Sequence, residues 1–317
     1  MRRWLALLLF SLALPAAAQD AYPSKPVRFV VPFPAAGPLD VMARLYAQKL
    51  GERWGRPVIV ENRAGATGAI GAEAVAKAVP DGYTLLFTVD LPIVMAPALV
   101  RTPYDPRTDL APVAALAETM NMLVVHPSVG VSTLPELVAA AKAKPAALTF
   151  SSAGNASPGH VCGEMLKSAA RIDLTHVPYK GAAPAMQAAL AGEVSMFCGP
   201  LTQGLPHVKS GKLRALGVTG EQPSPLVPDL KPLAATFPGL VVSNWYAVFA
   251  PPKTPAAVLS ALRADLKQTY DDPEVRQRLE SLGLDPLWLE PAQVSAAIDR
   301  DLAKWRGVIK RANIKPD

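Results

Sequence analysis

VRFVVPFPAAGPLD, residues 27 to 40, is predicted to contain a short strand, a loop and the start of a helix. Arg28 to Val31 is short, apolar and rich in β-branched residues, and the prolines that follow end the strand because proline has no N–H for a sheet ladder. Ala35 to Gly37 are small enough for another molecule to approach the backbone closely. The segment after Asp40 carries apolar residues at helical spacing. A helix N-terminus with free N–H groups attracts anions, so this loop is either a ligand loop or an ordinary turn between strand and helix.

The same strand–loop–helix unit continues along the chain. PVIVE (Pro57–Glu61) predicts a second strand, Ala72–Ala78 a helix, and YTLLFT (Tyr83–Thr88) a third strand. Alternating strands and helices predict a parallel sheet, whose ligands lie at the carboxyl ends of the strands. The loop Pro34–Asp40 and the segment Thr88–Asp90 are therefore expected on one rim.

A second series repeats this architecture. The predicted strands are Leu148–Ser152, Leu174–Tyr179 and Val194–Cys198, and the predicted helices are His160–Ala170 and Pro184–Ala191. The fold class is therefore α/β, with two similar lobes. A loop from each strand end is expected to point into a shared cleft.

The segments outside the two series are predicted as follows. Ala111–Ala117 and Asn121–His126 are interpreted as two strands, and Val241–Ala250 as a strand that crosses between the lobes. Surface helices are predicted over residues 255–282, 291–303 and 304–312.

The N-terminus predicts export. Arg2 and Arg3 precede an apolar run, Leu5–Leu14, and the small residues Ala16–Ala18. The run is too short for a membrane span of about 20 residues and is typical of a secretory signal peptide. Residues 1–18 are thus expected to be removed, leaving the mature protein in the bacterial periplasm.

Composition and charge exclude some classes of protein. Half of the residues are apolar and 18% are charged, as in a globular protein. The formal net charge is +6, but the basic residues are scattered without a Lys/Arg block, so nucleic acid is not expected as a partner. No motif predicts a cofactor or a metal. Cys162 and Cys198 predict either a disulfide, as expected in an oxidising compartment, or two buried thiols.

Catalytic motifs are missing from the sequence. It has neither the G-x-S-x-G elbow nor the H-E-x-x-H pair, and its four histidines are far apart. The polar residues near the rim are small donors that can hold a carboxylate without an arginine, which favours binding over catalysis. The alternative is an exported α/β hydrolase with Ser152 or Ser157 as nucleophile near His160. For Asp40 the alternatives are a helix cap and a ligand contact, and for Asp90 a solvated loop acid and an acceptor for an ammonium or hydroxyl group.

Several linked motifs resemble one known family. They are PFPAAGPLD, VENRAGATGAIGAEAVAKAVPDGYTLL, PYDPRTDLAPV, LTFSSAGNASPGH, THVPYKGAAPAMQAALAGEV and SGKLRALGVT, in this order from about Pro26 to the C-terminus. The chain resembles the Bug (Bordetella uptake gene) family, the periplasmic substrate-binding proteins of tripartite tricarboxylate transporters. The resemblance implies a type II periplasmic-binding-protein fold whose two lobes close like a Venus flytrap. Lobe 1 is then expected to comprise residues 19–120 and 246–317, and lobe 2 residues 121–245, each a mostly parallel sheet flanked by helices.

The resemblance also implies a function and a site. A monomeric receptor would bind a small aromatic, mono- or dicarboxylic acid and deliver it to membrane permease subunits, or present it to a sensor kinase. The expected ligand-binding residues are Phe33, Ala35, Ala36, Gly37, Leu39, Asp40, Thr88, Asp90, Ser152, Gly154, Asn155, Ala156, Ser157, His160, Tyr179, Gly181, Ala182 and Gly199.

The first loop departs from the family pattern at two positions. Ala36 replaces the first of two paired glycines, and Leu39 replaces a hydroxyl-bearing residue. The pocket is therefore expected to be more apolar than average, with its ligand preference set at these two positions.

Overall fold

The computed structural model describes residues 22–155 and 157–312. The predicted signal peptide, residues 1–18, and Ala156 of the second ligand loop lie outside the described residues.

Ten strands are present in the described part of the chain. They are β1 (Val27–Val31), β2 (Val58–Asn62), β3 (Thr84–Val89), β4 (Ala111–Val125), β5 (Thr149–Ser152), β6 (Thr175–Pro178), β7 (Met196–Pro200), β8 (Arg214–Val218), β9 (Ser243–Ala250) and β10 (Asp285–Leu289).

The described ranges contain ten α-helices. They are α1 (Pro38–Trp54), α2 (Ala69–Ala76), α3 (Ala96–Leu99), α4 (Leu134–Ala143), α5 (Pro158–Ala170), α6 (Ala182–Ala191), α7 (Leu201–Lys209), α8 (Ala256–Tyr270), α9 (Pro273–Ser281) and α10 (Pro291–Ala312).

The strands form a mixed sheet in the order β2-β1-β3-β9-β4-β7-β5-β6, with β8 and β10 also paired to β4. Strand β1 runs parallel to β2 and β3, and β5 runs parallel to β6 and β7. Each predicted series therefore forms three parallel strands. The remaining pairs, which involve β4 and β9, are antiparallel. We call the part with β1, β2, β3, β9 and β10 the first lobe, and the part with β5 to β8 the second lobe.

Strand β4 belongs to both lobes. Its first part, from Ala111 to Met120, pairs with β9, and its last part, from Asn121 to Val125, pairs with β7 and β8. The prediction of two separate strands was wrong. The polar residues that interrupt the apolar pattern, Glu118 and Thr119, lie at the junction of the lobes rather than in a turn.

The chain after β7 differs from its prediction in four ways. Residues 255–282 form two helices, α8 and α9, rather than one. Residues 291–312 form one helix, α10, whose apolar face is buried, as at Trp305 with 2% exposure. Strand β10 was not predicted, and neither was helix α7. Both are short and carry a proline near one end or inside the element, which weakens the local pattern.

The second lobe is cross-linked beside the cleft. Cys162 of α5 and Cys198 of β7 form a disulfide with their Cα atoms 6.6 Å apart. Of the two alternatives for these cysteines, a disulfide and two buried thiols, the structure contains the disulfide. It ties the N-terminal part of α5 to the carboxyl end of β7.

Candidate functional site

A cavity of about 230 Å³ lies between the lobes. The first lobe contributes Pro38, Leu282 and Gly283, and the second lobe contributes residues around the ends of β5 and β7. One wall, which we call the β4–β9 wall, consists of Thr119, Asn121, Asn244 and Tyr246 with Met120. The remaining lining residues are Ala153, Ser157, Pro158, Gly159, Ala182, Phe197, Cys198, Gly199, Pro200, Leu201 and Thr202.

Four helices begin at this cavity. The first residues of α1, α5, α6 and α7 all line it: Pro38, Pro158, Ala182 and Leu201. Helices α1, α6 and α7 have no side chain that caps the N-terminus. Because Pro38 has no N–H, the donors left for another acceptor are the N–H groups after Pro38 in the first turn of α1 and those in the first turns of α6 and α7. Each helix N-terminus carries roughly half a positive charge from the aligned peptide dipoles. Their convergence makes the cavity favourable for an anion.

No lysine, arginine, aspartate or glutamate side chain lines the cavity within the described residues. Its polar side chains are hydroxyls and amides, which include Ser157, Thr202 and the four polar residues of the β4–β9 wall. An anion bound here would be held by backbone dipoles and neutral donors, without a salt bridge.

The first loop is fixed by Asp40. Its carboxylate, 3% exposed, accepts hydrogen bonds from the Ala36 N–H (3.0 Å), from Arg44 Nε (2.9 Å) and from Asn62 Nδ2 (2.9 Å). Asn62 Nδ2 also donates to the Phe33 carbonyl at 3.0 Å. The hydrogen bonds from Arg44 lower the pKa of Asp40 to about 2. Asp40 is therefore neither the N-cap residue of α1, which is Gly37, nor a free ligand contact.

The first-loop residues differ in their positions. Leu39 is 6% exposed and packs in the core of the first lobe, so it does not line the cavity, and its effect on ligand preference stays a prediction. Ala35 and Ala36 are exposed, and Ala36 has a φ of 68°, a left-handed conformation that glycine adopts without strain. Among residues 33–40, Pro38 is the one that lines the cavity.

The second loop is braced by hydrogen bonds and ring stacking. Ser152 Oγ lies 2.7 Å from His176 Nε2 and donates to the Gly154 carbonyl at 3.0 Å. Ser157 caps α5 by accepting from the His160 N–H, and it donates to the Gly154 carbonyl at 2.7 Å. The rings of His160 and His176 stack with centroids 3.9 Å apart. Burial lowers the pKa of both histidines, that of His176 to about 4, so both are neutral at neutral pH.

This arrangement argues against the hydrolase alternative. The histidine that contacts Ser152 is His176, and with Ser152 already donating to a carbonyl, the histidine N–H is the donor to the hydroxyl. Neither Ser152 nor His176 lines the cavity. His160, the histidine expected near the nucleophile, stacks on the ring of His176, and Ser157 caps helix α5.

The third predicted segment lies behind the cavity. Thr88 is fully buried and donates to the Val89 carbonyl. Asp90, 1% exposed, accepts from Asn244 Nδ2 at 2.8 Å, and burial raises the pKa of its carboxyl to about 8. Asp90 is therefore not a solvated loop acid. It is connected to the cavity by its hydrogen bond with Asn244, which lines the cavity.

Three predicted residues line the cavity directly: Ser157, Ala182 and Gly199. Gly154, Asn155, Tyr179 and Gly181 lie in the same second-lobe loops without lining it. Sequence reasoning missed the β4–β9 wall and the start of α7. Two features of the sequence could have indicated the wall: the polar residues Glu118 and Thr119, which interrupt the apolar pattern of β4, and the pair Ser243-Asn244 at the start of an apolar strand.

Two features are absent from the described part of the chain. It holds no group of three or more His, Cys, Asp or Glu side chains arranged to bind a metal ion. None of its helices combines the length and apolar character needed to cross a membrane.

The comparison with known proteins identifies the family. A model described as the tripartite tricarboxylate transporter family receptor matches residues 42–314. The chain belongs to this receptor family. The family consists of periplasmic solute-binding proteins rather than enzymes. The two-lobed α/β fold of this chain agrees with the periplasmic-binding-protein fold that its motifs implied.

Individual relatives cover nearly the whole receptor. Protein BugT of Bordetella pertussis is 33% identical over 309 residues, 96% of this chain and 94% of BugT. An R. palustris protein solved with adipate is 31% identical with a TM-score of 0.73, covering 93% of this chain and 100% of that one. MatC from Rhodopseudomonas palustris, solved with malate, is 30% identical with a TM-score of 0.68, covering 91% and 100%.

Proposed function

We propose that the receptor captures a small carboxylate in the cavity between its lobes and delivers it to the membrane subunits of a tripartite transporter. The observation that carries this proposal is the convergence of four helix N-termini on a cavity lined by no charged side chain of the described residues. Anions bind at helix N-termini because the free N–H groups and the peptide dipoles act together.

The size of the cavity favours a small acid. Its volume of about 230 Å³ is below the ~300–1,000 Å³ range of typical ligand pockets. Two of the relatives were solved with adipate and with malate, both small carboxylates. A mono- or dicarboxylic acid, aliphatic or aromatic, fits these limits better than a large solute.

The proposal includes the export and the lobe division predicted from the sequence. Residues 1–18 would be removed on export to the periplasm, where the receptor meets its permease as a monomer. The proposed lobes are residues 19–120 with 246–317, and residues 121–245. The change of pairing partner along β4 after Met120 supports this division.

The test compares carboxylates with matched neutral amides. Isothermal titration calorimetry with benzoate, adipate, malate and citrate is expected to show binding of at least one acid, and the corresponding amides should not bind. Thermal unfolding in the same solutions should show a rise in Tm with the bound acid alone. If an amide binds as tightly as its acid, the anion site is refuted.

A substitution at the start of α6 tests the helix N-termini themselves. Ala182→Asp places a carboxylate in the first turn, where it stabilises the helix by about 0.3–1 kcal/mol but opposes a bound anion. We expect an affinity at least about ten-fold weaker, equivalent to ~1.4 kcal/mol, without a loss of Tm. Ala182→Asn, of the same shape but neutral, is the control. Equal affinity in the Asp and Asn variants would contradict the proposal.

A further inference from the structure

Asp90 is a buried carboxyl one residue layer behind the cavity. It follows β3, and its backbone N–H donates to the Trp245 carbonyl at 2.9 Å, which holds it against β9. Its Oδ1 accepts from Asn244 Nδ2 at 2.8 Å. Asn244 is half-buried and lines the cavity, whereas Asp90 does not. The pair thus connects a titratable group to the ligand space.

The charged neighbours of Asp90 lie on α10 and leave it without a counter-ion. Asp301 accepts from Lys304 Nζ (3.1 Å), Arg300 Nε (3.0 Å) and Trp245 Nε1 (3.1 Å). Lys304 also donates to the Val241 carbonyl. Its charge is therefore directed to Asp301, and among residues 22–155 and 157–312 Asn244 provides the side-chain hydrogen bond to Asp90.

The β4–β9 wall is the part of the cavity that Asp90 influences most directly. Asn244 pairs with Thr119 across the two strands, and Tyr246, the titratable residue of this wall, lies within electrostatic range of Asp90. The wall offers amides and hydroxyls, whereas the helix N-termini provide the remaining polar groups. A second carboxylate placed against this wall would lie near a buried group that becomes negative when it ionises, and like charges disfavour each other in a buried site.

We propose that Asp90 is a positioning residue for ligand specificity, resting on the carboxylate-binding function proposed above. It holds the Asn244 amide at the β4–β9 wall, and its ionised form excludes a second anion there. While Asp90 is ionised, the ligand places its carboxylate at the helix N-termini and a neutral hydrogen-bonding group, such as a hydroxyl or amide, at the wall. A dicarboxylate can occupy the cavity only while Asp90 keeps its proton.

The sign of the pH dependence follows from linkage. Burial raises the pKa of free Asp90 to about 8, and a nearby bound anion raises it further. Affinity for a dicarboxylate is then constant below pH ~8 and falls by up to about ten-fold per pH unit above it, because binding requires a proton. An acid with a neutral far end should show a much shallower dependence.

The test uses two matched pairs of acids: succinate with 4-hydroxybutanoate, and adipate with 6-hydroxyhexanoate. Calorimetry of the mature receptor from pH 6.5 to 9.5 should show a steep loss of affinity above pH ~8 for the dicarboxylate and a shallow one for the hydroxy acid. In buffers of different ionisation enthalpy, dicarboxylate binding at pH 9 should take up about one proton, and at pH 6.5 almost none. These readouts need no variant.

The variant Asp90→Asn tests whether Asp90 causes the loss of dicarboxylate affinity above pH ~8, because the amide keeps the shape of the side chain and does not ionise. Its dicarboxylate affinity should be nearly independent of pH. Asp285→Asn is the control, since Asp285 is another buried carboxyl with a raised pKa whose partner, Ser224, does not line the cavity. It should keep the wild-type profile.

Three results would overturn the inference: parallel pH profiles for both members of a pair, no proton uptake at pH 9, or a wild-type profile in Asp90→Asn. Failure of all four acids to bind at pH 7 would also overturn it. The carboxylate-binding function would survive that last result if benzoate, malate or citrate still bound, and would fall with it if none did.

Discussion

Replacing Gly159 with alanine tests whether the start of α5 rests directly on the backbone of β7. A Cβ at Gly159 would lie 2.1 Å from the Cys198 carbonyl oxygen and 3.4 Å from Ser152 Cβ. The first contact is with backbone, so no side-chain rotation relieves it. The Cys162–Cys198 disulfide ties the same helix to the same strand residue and restricts their separation.

The expected magnitude follows from these contacts. Overpacking a well-packed site costs about 1–3 kcal/mol, and the backbone contact places Gly159→Ala in the upper part of that range. Because Gly159 also lines the cavity, a displaced helix N-terminus should weaken carboxylate binding by about ten-fold, or ~1.4 kcal/mol. Both losses have one cause and should appear together.

Gly204→Ala is the matched control for this substitution. Gly204 lies inside α7, and its added Cβ would meet Met122 Sδ at 3.4 Å, an ordinary van der Waals contact. Alanine favours a helix interior over glycine by up to about 1 kcal/mol, so this variant should be as stable as wild type or more so. Urea unfolding followed by tryptophan fluorescence measures both. The reasoning is refuted if Gly159→Ala unfolds at the wild-type urea concentration, or if both variants lose equal stability.

Two further predictions concern stability. The cross-link between Cys162 and Cys198 spans 36 residues, for which chain entropy gives about 4 kcal/mol; the double alanine variant should unfold at a clearly lower urea concentration, and an unchanged midpoint would contradict the estimate. Asp40→Asn should be less stable than wild type at pH 7, because Arg44 lowers the pKa of Asp40 to about 2 in the folded state. That lowered pKa gives stability that is full above the unfolded pKa of about 3.9 and lost as pH falls toward 2. Urea midpoints should therefore converge between pH 4 and 2, and a pH-independent gap would show that Asp40 acts by another route.

Local patterns predicted the parallel strands and the positions of most helices. Val27–Val31 was recognisable because its β-branched residues end at prolines, and both effects act within a few residues. The same holds for the N-terminus of α4, where the side chain of Thr133 accepts a hydrogen bond from the Glu136 N–H and caps the helix. Such features depend on the chain near the residue and not on the rest of the fold.

The positions of the polar side chains were harder to predict because they depend on contacts between distant segments. Asp40 and Leu39 both follow a small-residue loop, which made them candidates for ligand contact. Asp40 is instead held by Asn62, which comes from the next strand, and Leu39 turns into the core. The 3.6-residue period of helix α1 places Pro38 toward the cavity and Leu39 and Asp40 away from it. The composition of the loop does not show which of these residues faces the cavity.

The β4–β9 wall shows the same limitation for strands. Thr119 and Asn244 are 125 positions apart along the chain and become neighbours only when β4 and β9 pair across the lobe junction. In isolation each is a polar residue in an apolar strand, which predicts an end or a turn. Only the antiparallel register shows that both belong to one wall of one cavity.

The proposed anion site has a further reason to be weakly marked in the sequence. Its donors are backbone N–H groups at the starts of helices, and any residue except proline can supply them. The chain therefore needs only small residues where a ligand must approach, such as Gly159 and Ala182, and helices that start at the right place. A receptor built this way can change its ligand through neutral side chains on the wall without losing its anion site. This is why the family motifs indicate a carboxylate but not which one, and why the Asp90–Asn244 pair, which lies outside the anion site, is the place to look for the choice of ligand.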